Sequence, residues 1–277
     1  MYDAIVIGGG PAGLQAALTL GRLHRSVLLL DSGEYRNATV EHAHNLLTND
    51  GRDPAELRAL ARAELAAYAT VELRQEAVAS VAGTSGDFTV TTSGGVERAS
   101  RVILATGIRD ELPPVPGLAE QWGRRVAQCP FCHAHEFAGG VVGVSLAGEH
   151  AEMIGRMLQP VASAVVTVPP AELASVTEVE GGLELERTDG TREQVAGLFI
   201  APTPHQRAPF AAELGCSILP SGGVEIDAFG RTTVPGMFAA GDMAHTAALP
   251  GALVSLAAAI AAGQVAGAAV VRELIGA

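Results

Sequence analysis

Lysine is absent from this 277-residue chain. All of its basic charge is arginine, 18 residues against 30 Asp and Glu, for a formal net charge of -12. A balance this acidic argues against a nucleic-acid footprint and against binding to anionic membranes. The missing lysine itself is a matter of composition, to which no function attaches. Cysteine is scarce as well, and three residues cannot build a secreted disulfide framework. No leader precedes the strand that begins at Tyr2-Asp3-Ala4, so a soluble, cytoplasmic protein is expected. One apolar run, Ala252 to Val271, raises the question of a membrane span. It is mostly Ala and Gly, carries Gln264 and lacks a basic N-terminal flank, so a buried helix packed on a cofactor or sheet is expected instead. With 48% hydrophobic and 17% charged residues, the chain can bury a sizeable core as one large domain or two smaller ones.

Two of the three cysteines stand in Cys129-Pro130-Phe131-Cys132-His133. Cysteines at this spacing can close a disulfide within one turn, and an adjacent imidazole can move the protons that disulfide chemistry requires. The alternative is half of a zinc site, which needs three or four ligands, usually from a second pair. Only Cys216 remains, and His133 and His135 are too close together to form an independent half-site. Redox chemistry is therefore the expectation for this pair, and Cys216 in Leu214-Gly215-Cys216 reads as buried core.

The chain opens with the apolar run Ala4-Ile5-Val6-Ile7, then Gly8-Gly9-Gly10-Pro11-Ala12-Gly13, a helical pattern, the strand Ser26 to Leu30, and Asp31. Strand, glycine turn, helix, strand and acid within about 30 residues are the context in which a glycine motif becomes a dinucleotide site. Gly8 permits the turn, Gly10 lets the backbone approach a pyrophosphate, and Gly13 lets the helix pack on the strand. The helix N-terminus offers free N–H groups to the phosphates. Asp31 is placed to accept the hydrogen bonds of a ribose diol. The motif alone does not choose between FAD and NAD.

Asp53-Pro54-Ala55-Glu56 reads as a helix start, and Val71 to Val81 and Asp87 to Thr92 read as strands. A buried strand then ends in Ala105-Thr106-Gly107, and Pro113, Pro114 and Pro116 mark a boundary. A second strand at Gly140 to Val144 leads into a helix. The strand Ala164 to Val168 follows and ends in Pro169-Pro170, and a β-meander comes next. Gly236 to Asp242 is strand-like and precedes the Ala-rich C-terminal helix.

Taken in order, Gly8 to Gly13 with Asp31, Ala105-Thr106-Gly107, the Cys129/Cys132 pair and Gly236 to Asp242 resemble the thioredoxin reductase-like flavoproteins across nearly the whole chain. The resemblance implies an α/β fold of two Rossmann-like three-layer domains. One is a discontinuous FAD domain from 1–112 and 237–277, and the other, 113–236, carries the cysteines. It implies FAD on the first glycine motif, with Gly8, Gly10, Pro11, Ala12, Gly13, Asp31 and Ser32 around it. Arg36 and Asn45 would lie in the loop that lines the cofactor, Val78 beside the adenine, and Ala105, Thr106 and Gly107 close by. Gly241 and Asp242 would meet the ribityl and phosphate region, and Gly251 and Ala252 would bring backbone to the flavin carbonyl. By the same resemblance Cys132 faces the flavin and Cys129 exchanges with substrate, and relatives are usually homodimers. Cys-Pro-Phe-Cys-His followed by Glu136 is further similar to the dithiol oxidases of gliotoxin and holomycin biosynthesis. Ordinary thioredoxin reductases carry Asp where this chain has His133. An imidazole titrates near pH 7, so His133 is the candidate proton acceptor.

Relatives that use NADPH carry a second glycine motif followed by basic residues. Here Val144-Ser145-Leu146-Ala147-Gly148-Glu149-His150 keeps one Gly where the turn needs several, and Glu149 opposes a pyrophosphate at the helix N-terminus. The second domain is therefore expected to be truncated where NADPH would bind, with a divergent nucleotide site as the alternative. The leading expectation is a dithiol oxidase. A small-molecule or peptide dithiol reduces the Cys129–Cys132 disulfide, electrons pass to FAD, and molecular oxygen reoxidises the flavin with release of hydrogen peroxide. A disulfide reductase acting on thioredoxin, fed by NADPH or a protein donor, is the second reading. A flavin-binding sensor or scaffold without turnover is the third.

Overall fold

The computed structural model describes residues 1–276. The chain forms two compact units: residues 1–36, 55–109 and 204–277 make the first, and 37–54 with 110–203 make the second. Both are built on parallel strands, the α/β architecture expected.

The sheet of the first unit runs in the order Val71–Arg74, Val27–Leu30, Tyr2–Ile7, Gly95–Leu104, Asp87–Thr92, Val78–Thr84, and Met237–Ala239 also pairs with Gly95–Leu104. Pairing is parallel around Tyr2–Ile7 and antiparallel in the meander formed by Val78–Thr84, Asp87–Thr92 and the start of Gly95–Leu104. Successive side chains leave opposite faces of a strand. Ala4, Val6, Leu29, Ile103 and Phe238 accordingly meet one core, while Ile5, Ile7, Leu28, Leu30 and Leu104 meet another. The first core is closed by α1 (Pro11–Gly21) and by the C-terminal helix Leu256–Leu274. The second is closed by the meander and by Phe210, Ala211, Cys216 and Val224.

Two differences from the sequence expectation appear here. Val71 to Val81 is two strands, because Gln75 to Ala77 leave the parallel edge before Val78 starts the meander. Residues 204–236 lie in the first unit and 37–54 in the second, whereas a division at 113 and 236 places them the other way. The reason is burial: Phe210 and Cys216 fill the core beneath the first sheet, a tertiary fact with no local signature.

The helices are completed by α2 (Pro54–Leu65), α3 (Pro130–His133), α4 (Gly148–Leu158), α5 (Phe210–Glu213) and α6 (Leu256–Leu274). α6 has the length and mean hydropathy of a membrane span. Ala259, Gly263, Ala266 and Gly267 on it are nevertheless buried, and it packs along α1.

In the second unit four parallel strands run in the order Ala164–Thr167, Val141–Ser145, Gly197–Ile200, Val126–Ala127. A separate antiparallel meander, Leu173–Val179, Gly182–Arg187 and Arg192–Val195, covers one face of that sheet through Leu183, Leu185 and Val195. On the other face lie Ala134, Phe137, Ala151, Ile154 and Leu158, which anchor the cysteine segment and α4. Strand, helix α4 and strand occur once, and the chain then enters the meander through Pro169-Pro170.

Candidate active site

The glycine turn of the first unit is fixed by contacts that leave no room for a side chain at Gly8, Gly9 and Gly13 and leave Gly10 open. Gly8 has φ 115°, and a Cβ there would stand 2.2 Å from the Ala105 carbonyl oxygen. A Cβ on Gly13 would come within 1.8 Å of the Gly8 carbonyl oxygen. At Gly10 nothing lies within 4 Å of the place a Cβ would take. Gly10 is also the N-cap of α1, with Pro11 at the first position and no side chain capping the helix. An uncapped helix N-terminus beside an open glycine is the cradle that a pyrophosphate fills. The residues therefore fit FAD.

Asp31, at the end of Val27–Leu30, is 1% exposed. Its carboxylate packs on Gly9 and accepts hydrogen bonds from Arg62 of α2, from the Tyr35 hydroxyl at 2.5 Å and from the Gly33 N–H at 3.1 Å. An ionised carboxylate has about four acceptor positions, so one stays open for a ribose hydroxyl. Arg58 lies over the Tyr35 ring at 3.8 Å. Burial and the Asp31 carboxylate push the Tyr35 hydroxyl above the usual tyrosine range, which keeps it a proton donor. Arg58, Arg62 and Tyr35 were not foreseen from sequence, since nothing in their spacing ties α2 to a strand end 31 residues away.

Arg36 donates to the Asp242 carboxylate at 3.0 Å, which joins two of the residues expected around the cofactor. Gly241, with φ 84°, brings its would-be Cβ to 3.0 Å from Ala12 Cβ, and the Thr106 hydroxyl donates to the Met243 sulfur at 3.3 Å. Gly8, Ala12, Gly13, Ala105, Thr106, Gly241 and Asp242 thus belong to one neighbourhood of the first unit. Ser32 caps its own turn, accepting from the Glu34 N–H at 3.4 Å. Val78 packs against the second core of the unit. Gly107 has φ 69° and open space around it. Open space also surrounds Gly251, which precedes Ala252 and the Ser255 cap of α6. Asn45 falls in the segment that belongs to the second unit.

In the second unit Cys129 and Cys132 form a disulfide, with Cα atoms 5.3 Å apart. The strand Val126–Ala127 delivers Cys129 to the N-cap of α3, and Pro130 starts the turn with its fixed φ. The Cys132 and His133 N–H groups both donate to the Cys129 carbonyl, at 3.1 and 3.2 Å, so one backbone oxygen holds the whole motif. Phe131, between the cysteines, is 69% exposed.

The His133 ring is largely buried, and its Nδ1 has no hydrogen-bond partner. Burial pushes its pKa below the usual histidine range. The Glu136 carboxylate and a backbone hydrogen bond at Gly123 oppose that shift, and His44 adds to it. The lowered pKa keeps the imidazole neutral near pH 7, the form that accepts a proton. Cys216 is buried in the first unit, and burial raises its thiol pKa, which suits an inert core residue. Among the described residues no cluster of His, Cys, Asp and Glu could hold a metal ion.

Known proteins resemble this chain in sequence and fold. The family model for pyridine nucleotide-disulphide oxidoreductases matches residues 2–157 and 165–266. Thioredoxin reductase sirT of Leptosphaeria maculans is 32% identical over 88% of this chain and 87% of its own length. Thioredoxin reductase aclD of Aspergillus oryzae is 33% identical over 87% and 88%. A relative from Arthroderma benhamiae is 42% identical, but the match spans only 37% of that protein. Among solved structures, an oxidoreductase from Agrobacterium tumefaciens superposes with TM-score 0.91 at 34% identity, covering 99% of both chains. HlmI superposes with TM-score 0.87 at 30% identity, covering 99% of this chain and 93% of its own. The chain belongs to the pyridine nucleotide-disulphide oxidoreductase family, and it is an FAD-dependent disulfide oxidoreductase of the thioredoxin reductase type.

Proposed function

We propose that the enzyme is a dithiol oxidase: it takes electrons from a small-molecule or peptide dithiol at the Cys129–Cys132 disulfide and returns the substrate as a disulfide. The observation that carries this reading is the second unit, where strand, helix and strand occur once and are followed by a meander. A nucleotide half-domain is normally two successive β-α-β units. Glu149 adds a negative charge in the first turn of α4, where a phosphate would otherwise be favoured. Among the described residues one dinucleotide cradle is complete and the other lacks half its framework, which favours electron entry by the thiol route.

The exchange step balances within the protein's own groups. A substrate thiol gives its proton to His133, and its sulfur bonds to Cys129 Sγ. The Cys129–Cys132 bond breaks, with its electron pair going to Cys132 Sγ. The second substrate thiol then displaces Cys129, closing the substrate disulfide, and its proton passes to the departing Cys129 thiolate. Two electrons and two protons have entered the enzyme. Gly8 to Gly13, Asp31, Arg36 and Asp242 would hold FAD, which when bound would supply the two-electron acceptance that restores the disulfide, with molecular oxygen as the proposed final acceptor and hydrogen peroxide as the product. The exposed Phe131 offers an apolar ring to a substrate at the exchanging sulfur.

Anaerobic mixing of the holoenzyme with dithiothreitol tests the reading. The flavin absorbance is expected to bleach and to return on admission of air, with peroxide formed. Rapid bleaching by NADPH alone would overturn it and would favour the second reading. That reading is a thioredoxin-directed reductase, as the names of relatives such as sirT and aclD suggest.

A further inference from the structure

Residues 37–54 are remote in sequence from the cysteine motif yet are fastened beside it within the second unit. Thr39 Oγ1 occupies the space beside Gly123, 2.4 Å from where a Cβ would stand. Arg124 reaches Glu41 at 3.5 Å. His44 Nε2 meets Glu136 Oε1 at 3.3 Å, and its Nδ1 lies 3.6 Å from Asp50 Oδ1. The same Asp50 oxygen accepts the Asn45 N–H at 2.7 Å, and Asn45 has φ 61°, a left-handed conformation that asparagine tolerates. The His44 ring is therefore set between two carboxylates, one of them three residues beyond His133.

His133 follows Cys132 directly and presents a buried, unpartnered Nδ1. Two charged groups act on it, the Glu136 carboxylate and, when protonated, His44. Of these, Glu136 is the one that favours an imidazolium, and its carboxylate is itself held by His44. Glu41 pairs with Arg124 and Asp50 with His44, and neither is among the groups that act on His133.

We propose that His44 is a positioning residue for thiol–disulfide exchange: by holding the Glu136 carboxylate it fixes the negative charge that lets buried His133 take up the proton of an incoming thiol. The proposal rests on the exchange chemistry assigned above to Cys129–Cys132, and it requires no redox step beyond that exchange. Its distinguishing feature is a sign. As a tether, His44 supports proton uptake at His133. As a mere neighbouring cation, it would oppose uptake.

The test is a histidine side-chain NMR titration of the oxidised holoenzyme, with His133 assigned by its loss in His133→Asn. Glu136→Gln is expected to lower the His133 midpoint by about one pH unit. His44→Ala is expected to lower it by a smaller amount, and His44→Gln, which keeps an N–H donor without the charge, to restore it. In the Glu136→Gln background His44→Ala is expected to move the midpoint no further. A midpoint raised or unchanged in His44→Ala overturns the proposal. So does an undiminished shift in the double variant. Should His44→Ala fail to fold, Glu136→Gln and its double variant with His44→Gln still decide the matter. The dithiothreitol experiment on wild type is independent: its failure would reject the dithiol oxidase reading while leaving the titration result intact.

Discussion

Two glycines three positions apart do different work. Gly13 is a packing glycine, because its would-be Cβ overlaps the Gly8 carbonyl. Gly10 is a binding glycine, because its would-be Cβ meets no protein atom and its backbone is extended at φ -79°, ψ -177°. Gly13→Ala is therefore expected to destabilise the apoprotein by about 1–3 kcal/mol, the usual result of overpacking. Gly10→Ala is expected to leave the apoprotein melting temperature unchanged while weakening FAD retention about tenfold or more, a loss of about 1.4 kcal/mol in binding. Differential scanning calorimetry of both apoproteins and fluorescence titration with FAD would separate the two effects; equal melting losses would refute the distinction. His133 carries a second prediction. Its folded pKa lies below the ordinary histidine value of about 6.5, because burial disfavours the charged ring. Between those two values the unfolded chain binds more protons than the folded one, so stability rises with pH across that window and is lost as pH falls through it. The melting temperature should drop on acidification from pH 7, and His133→Asn should make that drop shallower. An identical pH slope in the variant would show that other groups govern it.

At the scale of elements, the C-terminal helix shows what a small-residue pattern means. Ala259, Gly263 and Gly267 recur every four residues on α6, and the Ala12 carbonyl oxygen lies 2.0 Å from where a Gly263 Cβ would stand. The glycine lets α6 press on the first turn of α1, the turn that carries the phosphate cradle. Gly263→Ala should push the helices apart, cost about 1–3 kcal/mol and release FAD. Loss of thermal stability with full FAD content would instead mean that the α1 turn is braced elsewhere. From sequence the same stretch is apolar enough to suggest a membrane span, and its Gly, Ala and Gln264 content points to close packing. The strand–turn–helix unit at 2–31 and the Cys129–Cys132 disulfide were legible because their signals are local: a glycine motif between strand and helix, and two cysteines spaced to close within one turn. The clamp of Arg62 and Tyr35 on Asp31, the tie between His44 and Glu136, and the burial of Phe210 beneath the first sheet were not. Each joins elements distant in the chain through side chains that are ordinary in isolation, so periodicity and spacing carry no trace of them.

For the whole molecule, the proposed entry of electrons by the thiol route rests on topology more than on any one residue. The sequence places the loss of the second nucleotide site in two features: the single glycine and Glu149 of the turn at 144–150, which substitution could in principle repair, and the passage through Pro169-Pro170 into a meander with no further helix and strand. The topology follows the second feature. After Ala164–Thr167, at the edge of its four-stranded sheet, the chain turns through Pro169-Pro170 into the antiparallel meander. The helix and strand of a second β-α-β unit, which would complete a dinucleotide crevice, have no counterpart among the described residues. Restoring the turn therefore restores only a helix N-terminus. The double variant Ala147→Gly, Glu149→Ala should keep its fold, because both residues are exposed. Its NADPH consumption should stay at the wild-type background in the presence of FAD and a disulfide acceptor, followed by NADPH absorbance. Calorimetric titration should likewise show no NADPH binding in the micromolar range. If the two substitutions conferred NADPH turnover comparable with that of dithiothreitol, the turn and not the missing unit would be the determinant. The truncated second unit would then have to be regarded as a nucleotide domain silenced by one carboxylate.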